Sequence, residues 1–141
     1  MADIALKHDC RGIDWNAVVR VIREAGLSTY SAECTQRAFE HSYVVVFVLN
    51  GSELIGTGRA LSDGACQAVI YDIAVLPKWQ GRGIGKRIME SILEKTDGQN
   101  RLLYASPGKE GFYEKFAFRR MRTGMSLFKN QREMQEKGFS E

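Results

Sequence analysis

Histidine and cysteine are scarce in this sequence, which has two histidines and three cysteines among 141 residues. Cys10, Cys34 and Cys66 are widely spaced and form no CxxC pair, so neither a disulfide framework nor a zinc knuckle is expected. The histidines, His8 and His41, do not stand at metal-ligand spacing, and no G-x-S-x-G elbow accompanies them. We therefore expect no bound metal and find little support for a Ser-His-Asp triad.

The sequence also lacks a strong excess of charge of one sign. Twenty Lys and Arg against seventeen Asp and Glu leave a net charge of +3, which is too small for a protein whose whole surface binds nucleic acid. No apolar run approaches the roughly 20 residues of a membrane-spanning helix, and the N-terminus shows no basic-then-apolar signal pattern. These absences predict a cytoplasmic location with no nucleic-acid partner and no membrane partner.

The composition is that of an ordinary folded domain, with 44% hydrophobic and 26% charged residues. Residues 1–141 are expected to form one domain, in which 130–141 are a polar tail that is partly helical or frayed. The order β-α-α-β-β-β-α-β-α-β-β predicts an α+β fold with a mixed sheet. The predicted strands are Ile4–Lys7, Tyr43–Leu49, Glu53–Leu61, Gln67–Val75, Leu102–Ala105, Phe118–Met121 and Gly124–Lys129. The predicted helices follow Asp14 to Ala25, Ser31 to Glu40 and Gly83 to Lys95, with a short one around Phe112, Tyr113 and Phe116.

Turn and cap residues mark several of these boundaries. Asp14 is predicted to begin the first helix as its N-cap, and Gly26 to end it as its C-cap. Asn50-Gly51 is a strong two-residue hairpin signal, and Asp63-Gly64 predicts the next turn.

The most informative segment lies between the predicted fourth strand and the helix that follows it. Its glycines at 81, 83 and 85 leave backbone N–H groups accessible to an anion, and the helix start adds a partial positive charge. Four cations accompany the glycines: Lys78, Arg82, Lys86 and Arg87. The spacing fits neither the Walker A nor the Rossmann pattern. The segment predicts a site for a phosphate-bearing ligand, and a flexible turn with a helix cap is the alternative.

Two motifs in this sequence resemble those of one family, the GNAT superfamily of acyl-CoA-dependent N-acyltransferases. Gln80-Gly-Arg-Gly-Ile-Gly85 matches its Q/R-x-x-G-x-G/A signature, and Asp72-Ile-Ala-Val-Leu-Pro77 is similar to its fourth strand. Gly111-Phe-Tyr-Glu-Lys-Phe-Ala-Phe118 is similar to its F-Y-x-x-x-G-F segment. The sequence departs at Ala117, where the family usually has glycine, and at Ser106, where asparagine is common.

The resemblance implies a fold and a cofactor. The fold is a single domain with a mixed, mostly antiparallel sheet that is flanked by helices and splayed between its fourth and fifth strands. The cofactor is acetyl-CoA, which serves as the acyl-donor co-substrate, with its pyrophosphate on the glycine loop and its pantetheine arm along the fourth strand. The residues predicted to contact acetyl-CoA are Ile73, Ala74, Val75, Gln80, Gly81, Arg82, Gly83, Ile84, Gly85, Lys86, Ser106 and Phe112.

Two side chains are candidates for the chemistry. Tyr113 is the predicted general acid, since a phenol with a pKa of about 10 can protonate a thiolate and the residue occupies the family's position for this role. Its alternative role is core packing among the neighbouring aromatic residues. Asp72 is the predicted general base. It stands in an otherwise apolar strand, where a carboxylate is costly unless it is paired or solvated. The alternatives for Asp72 are an ion pair with an arginine, a backbone cap, and a reaction in which water accepts the proton.

The resemblance further places Tyr30 and Trp79 near the acceptor. We expect an N-acetyltransferase that acts on a primary amine, most simply on a small molecule, as a monomer or homodimer and without a metal. A protein N-acetyltransferase, a non-catalytic acyl-CoA-binding module and a nucleotide-binding regulatory protein are the alternatives.

Overall fold

A mixed sheet of five strands forms the centre of the fold in the computed structural model, which describes residues 3–141. The strands lie in the order β1-β2-β3-β4-β5, the same as their order along the chain. Neighbours from β1 to β4 run antiparallel, and β5 runs parallel to β4. The strands are β1 Ile4–Lys7, β2 Val44–Asn50, β3 Glu53–Ser62, β4 Gln67–Val75 and β5 Asn100–Leu102. The α+β fold with a mostly antiparallel mixed sheet is thus confirmed.

Five helices and one 3₁₀ turn make up the rest of the regular structure in residues 3–141. They are α1 Trp15–Glu24, α2 Ala32–Glu40, α3 Ile84–Lys95, α4 Glu110–Glu114 and α5 Gln131–Glu136, with a 3₁₀ turn at Pro77–Trp79. The predicted N-cap of α1 is confirmed, while its C-cap is Ala25, one residue before the predicted Gly26. The Asp14 carboxylate accepts from two backbone N–H groups of the first turn, and Gly26, with φ of 89°, donates its N–H to the Arg23 carbonyl. Within residues 3–141, no helix combines the length and the apolar character needed to cross a membrane.

The core lies on both faces of the sheet. On one face, Phe39 of α2 stacks on Phe47 of β2 with ring centroids 5.4 Å apart, and both rings are almost fully buried. On the other face, three isoleucines of α3 spaced by four residues are buried: Ile84, Ile88 and Ile92. This helix packs so closely that a Cβ on Gly58 of β3 would lie 2.6 Å from an Ile88 methyl carbon. A side chain at residue 58 would therefore push α3 away from the sheet.

Two strand predictions differ from the structure. The fifth strand was expected at Leu102–Ala105 but begins at Asn100, whose N–H donates to the Cys66 carbonyl and starts the pairing with β4. The expected pair Phe118–Met121 and Gly124–Lys129 is wrong, because residues 118–129 contain no strand or helix. Met125 and Leu127 in this segment are 97% and 91% exposed. Because these apolar side chains are not buried, they do not stabilise strands here. The tail does contain a helix, α5, which the Asn130 side chain caps.

The chain separates into two compact units, one that ends at Leu103 and one that runs from Tyr104 to Glu141. The first contains the sheet with α1, α2 and α3, and the second contains α4 and α5. The single-domain organisation expected from the sequence therefore stays a prediction.

Candidate active site

Strand β4 is interrupted by a bulge at Asp72. Thr57 of β3 pairs with Ala74, and Arg59 of β3 pairs with Tyr71. The one residue of β3 between these two pairs therefore lies opposite two residues of β4. Asp72 itself has a φ of 57°, a left-handed conformation that few residues other than glycine adopt. The bulge lies at the first residue of the segment Asp72–Pro77, which resembles the family's fourth strand, and a bulge of this kind bends its strand.

Just before this bulge, β4 loses its neighbour on one side. Strand β5 pairs with β4 only from Gln67 to Val69, while β4 continues to Val75. Within the part of the chain that the structure describes, no strand covers the outer edge of β4 beyond Val69. Backbone N–H and C=O groups on such an edge can pair with an extended ligand that carries amide groups. The side chains of Ala74 and Val75 are buried, so only their backbone can contact a ligand here.

The glycine loop follows β4 and the 3₁₀ turn. Gly81 and Gly83 have φ of 76° and 81°, and a Cβ built at either position would meet no atom within 4 Å. Gly83 is the N-cap of α3 and has no side chain to accept from the first-turn N–H groups, which therefore remain available to an anion. The loop thus has open space, free donors and a left-handed backbone at the helix start.

The cations around the loop are not equivalent. Lys78 forms an ion pair with Glu53 at 3.2 Å. The Arg82 guanidinium carbon lies 4.8 Å from the centroid of the Trp79 ring, while Lys86 and Arg87 are exposed on the first turn of α3. Positive charge therefore surrounds the free N–H groups, as a phosphate site requires.

Two predicted ligand residues make contacts inside the protein. The side-chain amide of Gln80 donates to the Val75 carbonyl oxygen at 2.9 Å. Trp79, predicted near the acceptor, lies in the 3₁₀ turn with its ring against Arg82. The bond from Gln80 attaches the loop to the end of β4, and the Trp79 ring supports Arg82.

The Asp72 carboxylate is paired. Its Oδ2 accepts from Arg59 Nε at 2.7 Å, and the two side chains are 24% and 15% exposed. The Arg59 guanidinium carbon lies 5.5 Å and 5.1 Å from the ring centroids of Phe39 and Tyr71. Arg59 was not among the predicted site residues. Its signal in the sequence is an arginine between a glycine and an alanine in one predicted strand, with an aspartate in the next predicted strand.

Tyr113 lies in the second unit, on α4. Its ring centroid is 5.0 Å from that of Phe112 and 6.1 Å from that of Phe118, so both the packing role and the acid role remain compatible with its position. Burial raises the pKa of the Tyr113 phenol, which stays protonated at neutral pH. Ser106, in the same unit, begins a turn in which its carbonyl accepts from Lys109 N–H.

The structure brings most of the predicted site residues together in the first unit. Asp72 to Val75 and Trp79 to Lys86 lie along β4, the 3₁₀ turn and the start of α3. Ser106, Phe112 and Tyr113 belong to the second unit. Tyr30 lies between α1 and α2 and is 68% exposed. Among residues 3–141 there is no group of three or more potential metal ligands, and the absence of a metal stays a prediction.

Two known plant proteins are similar to this chain in sequence, and one solved structure is similar to it in fold. Serotonin N-acetyltransferase 2, chloroplastic, from Oryza sativa is 34% identical over 81% of this chain and 60% of its own length. GCN5-related N-acetyltransferase 1, chloroplastic, from Arabidopsis thaliana is 26% identical over 80% of this chain and 60% of its own length. A Staphylococcus aureus protein of unknown function that is assigned as an acetyltransferase superposes with a TM-score of 0.79 at 26% identity, over 89% of this chain and 98% of its own.

The two plant proteins bear on size and location. This chain spans about three fifths of the length of either one. The cytoplasmic location expected from the sequence is wrong, because both relatives are chloroplast proteins.

A model of the acetyltransferase (GNAT) domain matches residues 40–120, a range that contains β2 to α4 and with them the bulge, the glycine loop and Tyr113. The match confirms the resemblance seen in the two motifs and the enzyme class that it implies. The chain belongs to the GNAT acetyltransferase family.

Proposed function

We propose that this protein transfers the acetyl group of acetyl-CoA directly to a primary amine on a small molecule. One observation carries the proposal: an uncapped, positively charged helix start follows, after a short turn and loop, a strand that has no neighbouring strand on its outer edge beyond Val69. Acetyl-CoA has a chemistry that suits both features, since its pyrophosphate needs N–H donors and cations and its pantetheine arm contains amide groups.

In the proposed complex, the pyrophosphate lies on the N–H groups of the loop from Gly81 to Lys86. The pantetheine arm lies along the β4 edge from Ile73 to Val75. Backbone N–H groups on this edge can also donate to the thioester carbonyl oxygen as it gains charge during attack. In this arrangement the loop binds the donor substrate and the bulge aims the reacting carbonyl.

The reaction needs a neutral amine, an attack and a leaving thiol. At pH 7, an amine with a pKa of about 10.4 is almost entirely protonated, and freeing it costs about 4–5 kcal/mol. Asp72, directly or through water, accepts that proton in the proposed scheme. The amine nitrogen then bonds to the carbonyl carbon, the carbon–sulfur bond breaks, and the sulfur receives the Tyr113 proton. The nitrogen, which is positively charged after the attack, loses its second proton to solvent and becomes the neutral amide nitrogen. Solvent returns a proton to the phenolate and removes the one held by the base.

The phenol is a weak acid for this role. The reference pKa values of tyrosine and a thiol differ by about 1.5, so complete proton transfer to the thiolate is uphill by about 2 kcal/mol, and the raised pKa of Tyr113 adds to this. Tyr113 therefore acts first as a hydrogen-bond donor to the developing thiolate, and the proton moves as the carbon–sulfur bond breaks.

The names of the relatives support a class of acceptor and a location. The name of the rice relative includes serotonin, a small primary amine that also carries an aromatic ring. We propose an amine of this class as the acceptor. The chloroplastic names of both plant relatives support a plastid location.

The second candidate is an acyl-CoA-binding module without transferase activity. The pairing of Asp72 with Arg59 favours it, because an aspartate engaged in an ion pair has one oxygen fewer to offer an amine.

A single assay separates the two candidates. The protein is incubated with acetyl-CoA and, in turn, an aromatic ethylamine, a polyamine, an aminoglycoside and a lysine-containing peptide, and free thiol is measured. Amine-dependent thiol release, greatest with a small amine, is the expected result. A sample without amine measures hydrolysis. Stabilisation by CoA with no thiol release from any amine would favour the binding module, and release with the peptide alone would favour a protein acetyltransferase.

A further inference from the structure

We propose that Arg59 is a positioning residue for acetyl transfer, which acts by holding Asp72 and with it the left-handed bulge of β4. The inference rests on the proposed function, since it assigns the bulge a part in aiming the thioester. Arg59 lies on β3, outside the glycine loop and outside both sequence motifs.

The bulge needs a restraint. Asp72 has a φ of 57°, which residues with a side chain rarely adopt unless the surrounding structure enforces it. The contact that can enforce it here is the bond from Arg59 Nε to Asp72 Oδ2, at 2.7 Å. This ion pair is largely shielded from solvent, so water and salt compete with it less than at an exposed site.

Arg59 is itself held on several sides. Its guanidinium lies over the rings of Phe39 and Tyr71, and its Nη1 donates to Ser42 Oγ at 3.4 Å. Ser42 Oγ in turn donates to the Ala38 carbonyl at 2.8 Å. A planar guanidinium that is stacked and bonded in this way has little freedom, and its Nε–H has a fixed direction toward Asp72.

The position of the bulge links this pair to the chemistry. Arg59 pairs with Tyr71 just before the bulge, and the proposed thioester site begins at Ile73 just after it. A shift of about 1 Å at this point can lower a rate about 10²-fold. The glycine loop is attached separately, through Gln80 and Val75, so a change at Arg59 should lower turnover far more than it weakens the binding of CoA.

The test uses the full chain with Arg59→Met and Arg59→Lys, and with Arg20→Met as the matched control. Arg20 also forms an ion pair, with Glu24 at 2.6 Å, but on the exposed surface of α1. We expect Arg59→Met to lower kcat about 10²-fold, with a much smaller change in the Kd for CoA and an unchanged folded fraction. Arg59→Lys should recover part of kcat, since its ammonium can contact Asp72 but lacks the flat face and the Nε–H. Arg20→Met should match the wild type.

Several results would overturn the proposal. They are a wild-type kcat in Arg59→Met, a loss of kcat that only follows the folded fraction, a parallel loss of CoA affinity, and the failure of both Arg59 variants to fold. The double variant Arg59→Met with Asp72→Asn tests the route through Asp72. If Arg59 acts through Asp72, the loss of kcat in the double variant is smaller than the sum of the losses, as free energies, in the two single variants. Additive losses would contradict that route.

A further measurement keeps this proposal separate from the proposed function. If the wild-type protein releases no thiol with any amine, the function fails, and the bulge is then examined by amide hydrogen exchange. Faster exchange at Ile73 to Val75 in Arg59→Met than in Arg20→Met would show that Arg59 holds this part of β4. Equal exchange in the two variants would overturn the positioning role.

Discussion

The side-chain amide of Gln80 donates a hydrogen bond to the backbone carbonyl oxygen of Val75 at 2.9 Å. The bond spans the 3₁₀ turn Pro77–Trp79 and joins the end of β4 to the residue that precedes the glycine loop. An amide that the family resemblance assigned to acetyl-CoA is therefore engaged within the protein. Its contact keeps the strand edge and the glycine loop in one relative orientation.

Replacement of Gln80 by leucine should weaken the binding of CoA about fivefold, because one hydrogen bond that organises the site is lost, worth about 1 kcal/mol. Isothermal titration with CoA measures the effect. Gln36→Leu is the control, since Gln36 also bonds through its amide, to Glu40, but on the surface of α2. Equal affinities in the two variants would show that the bond from Gln80 does not organise the site.

Gly83→Val should abolish the stabilisation of the protein by CoA. A branched side chain there would project into the open space beside the free N–H groups of α3. In the wild type, CoA at 100 times its Kd should add about 2.7 kcal/mol to the free energy of unfolding, which a thermal melt detects.

The control for Gly83→Val is Gly98→Val. Gly98 has a φ of 80° and equally open surroundings, but it follows the other end of α3. Both variants should lose about 1–2 kcal/mol or more from backbone strain, so only the response to CoA should separate them. A normal CoA response in Gly83→Val would place the phosphate site elsewhere.

Tyr113→Phe should lower kcat about 10²–10⁴-fold and leave the Kd for CoA unchanged. Phenylalanine keeps the ring contacts with Phe112 and Phe118 and removes only the hydroxyl group. Steady-state kinetics with the best amine of the panel measure the change, and Tyr43→Phe, a change on the exposed surface, should have no effect. A wild-type kcat in Tyr113→Phe would assign Tyr113 to packing alone.

The same residue should affect stability at alkaline pH. Because burial raises the pKa of Tyr113, the folded state favours the neutral phenol more than the unfolded chain does. Its stabilising contribution is therefore full below a pH of about 10 and is lost as the pH rises through the folded-state pKa. The free energy of unfolding, measured with urea from neutral pH to about pH 11, should fall less at alkaline pH in Tyr113→Phe than in the wild type. Equal losses would contradict the burial of the phenol.

Ala117→Gly should stabilise the second unit. Ala117 has a φ of 69°, and this left-handed conformation lowers the free energy of unfolding by about 1–2 kcal/mol when the residue is alanine. Glycine avoids this strain but lowers the free energy of unfolding by about 0.4–1 kcal/mol, because it gives the unfolded chain more conformational freedom. A net gain of up to about 1 kcal/mol is expected from chemical denaturation. Ala25→Gly is the opposite control, since the φ of Ala25 is −78° and glycine there should only destabilise. A loss of stability in Ala117→Gly would show that the alanine is not strained.

Short-range signals in the sequence were enough to locate most elements and the glycine loop. The Asp14 cap, the Asn50-Gly51 turn and the alternating glycines each act on residues near them in the chain, so their effect does not depend on the rest of the fold. The departure at Ala117 is informative in the same way. The structure retains the left-handed conformation that glycine would take there.

The sequence by itself thus determined the order of the elements as far as α4, the N-cap of α1 and the left-handed glycines of the loop. The tertiary structure decided what depends on distant partners. Asp72 lies 13 residues from Arg59, and only the pairing of β3 with β4 brings the two together and sets the bulge. Residues 118–129 have a strand-like pattern but no strand, because a strand is stable only where another part of the protein accepts its hydrogen bonds and covers one of its faces.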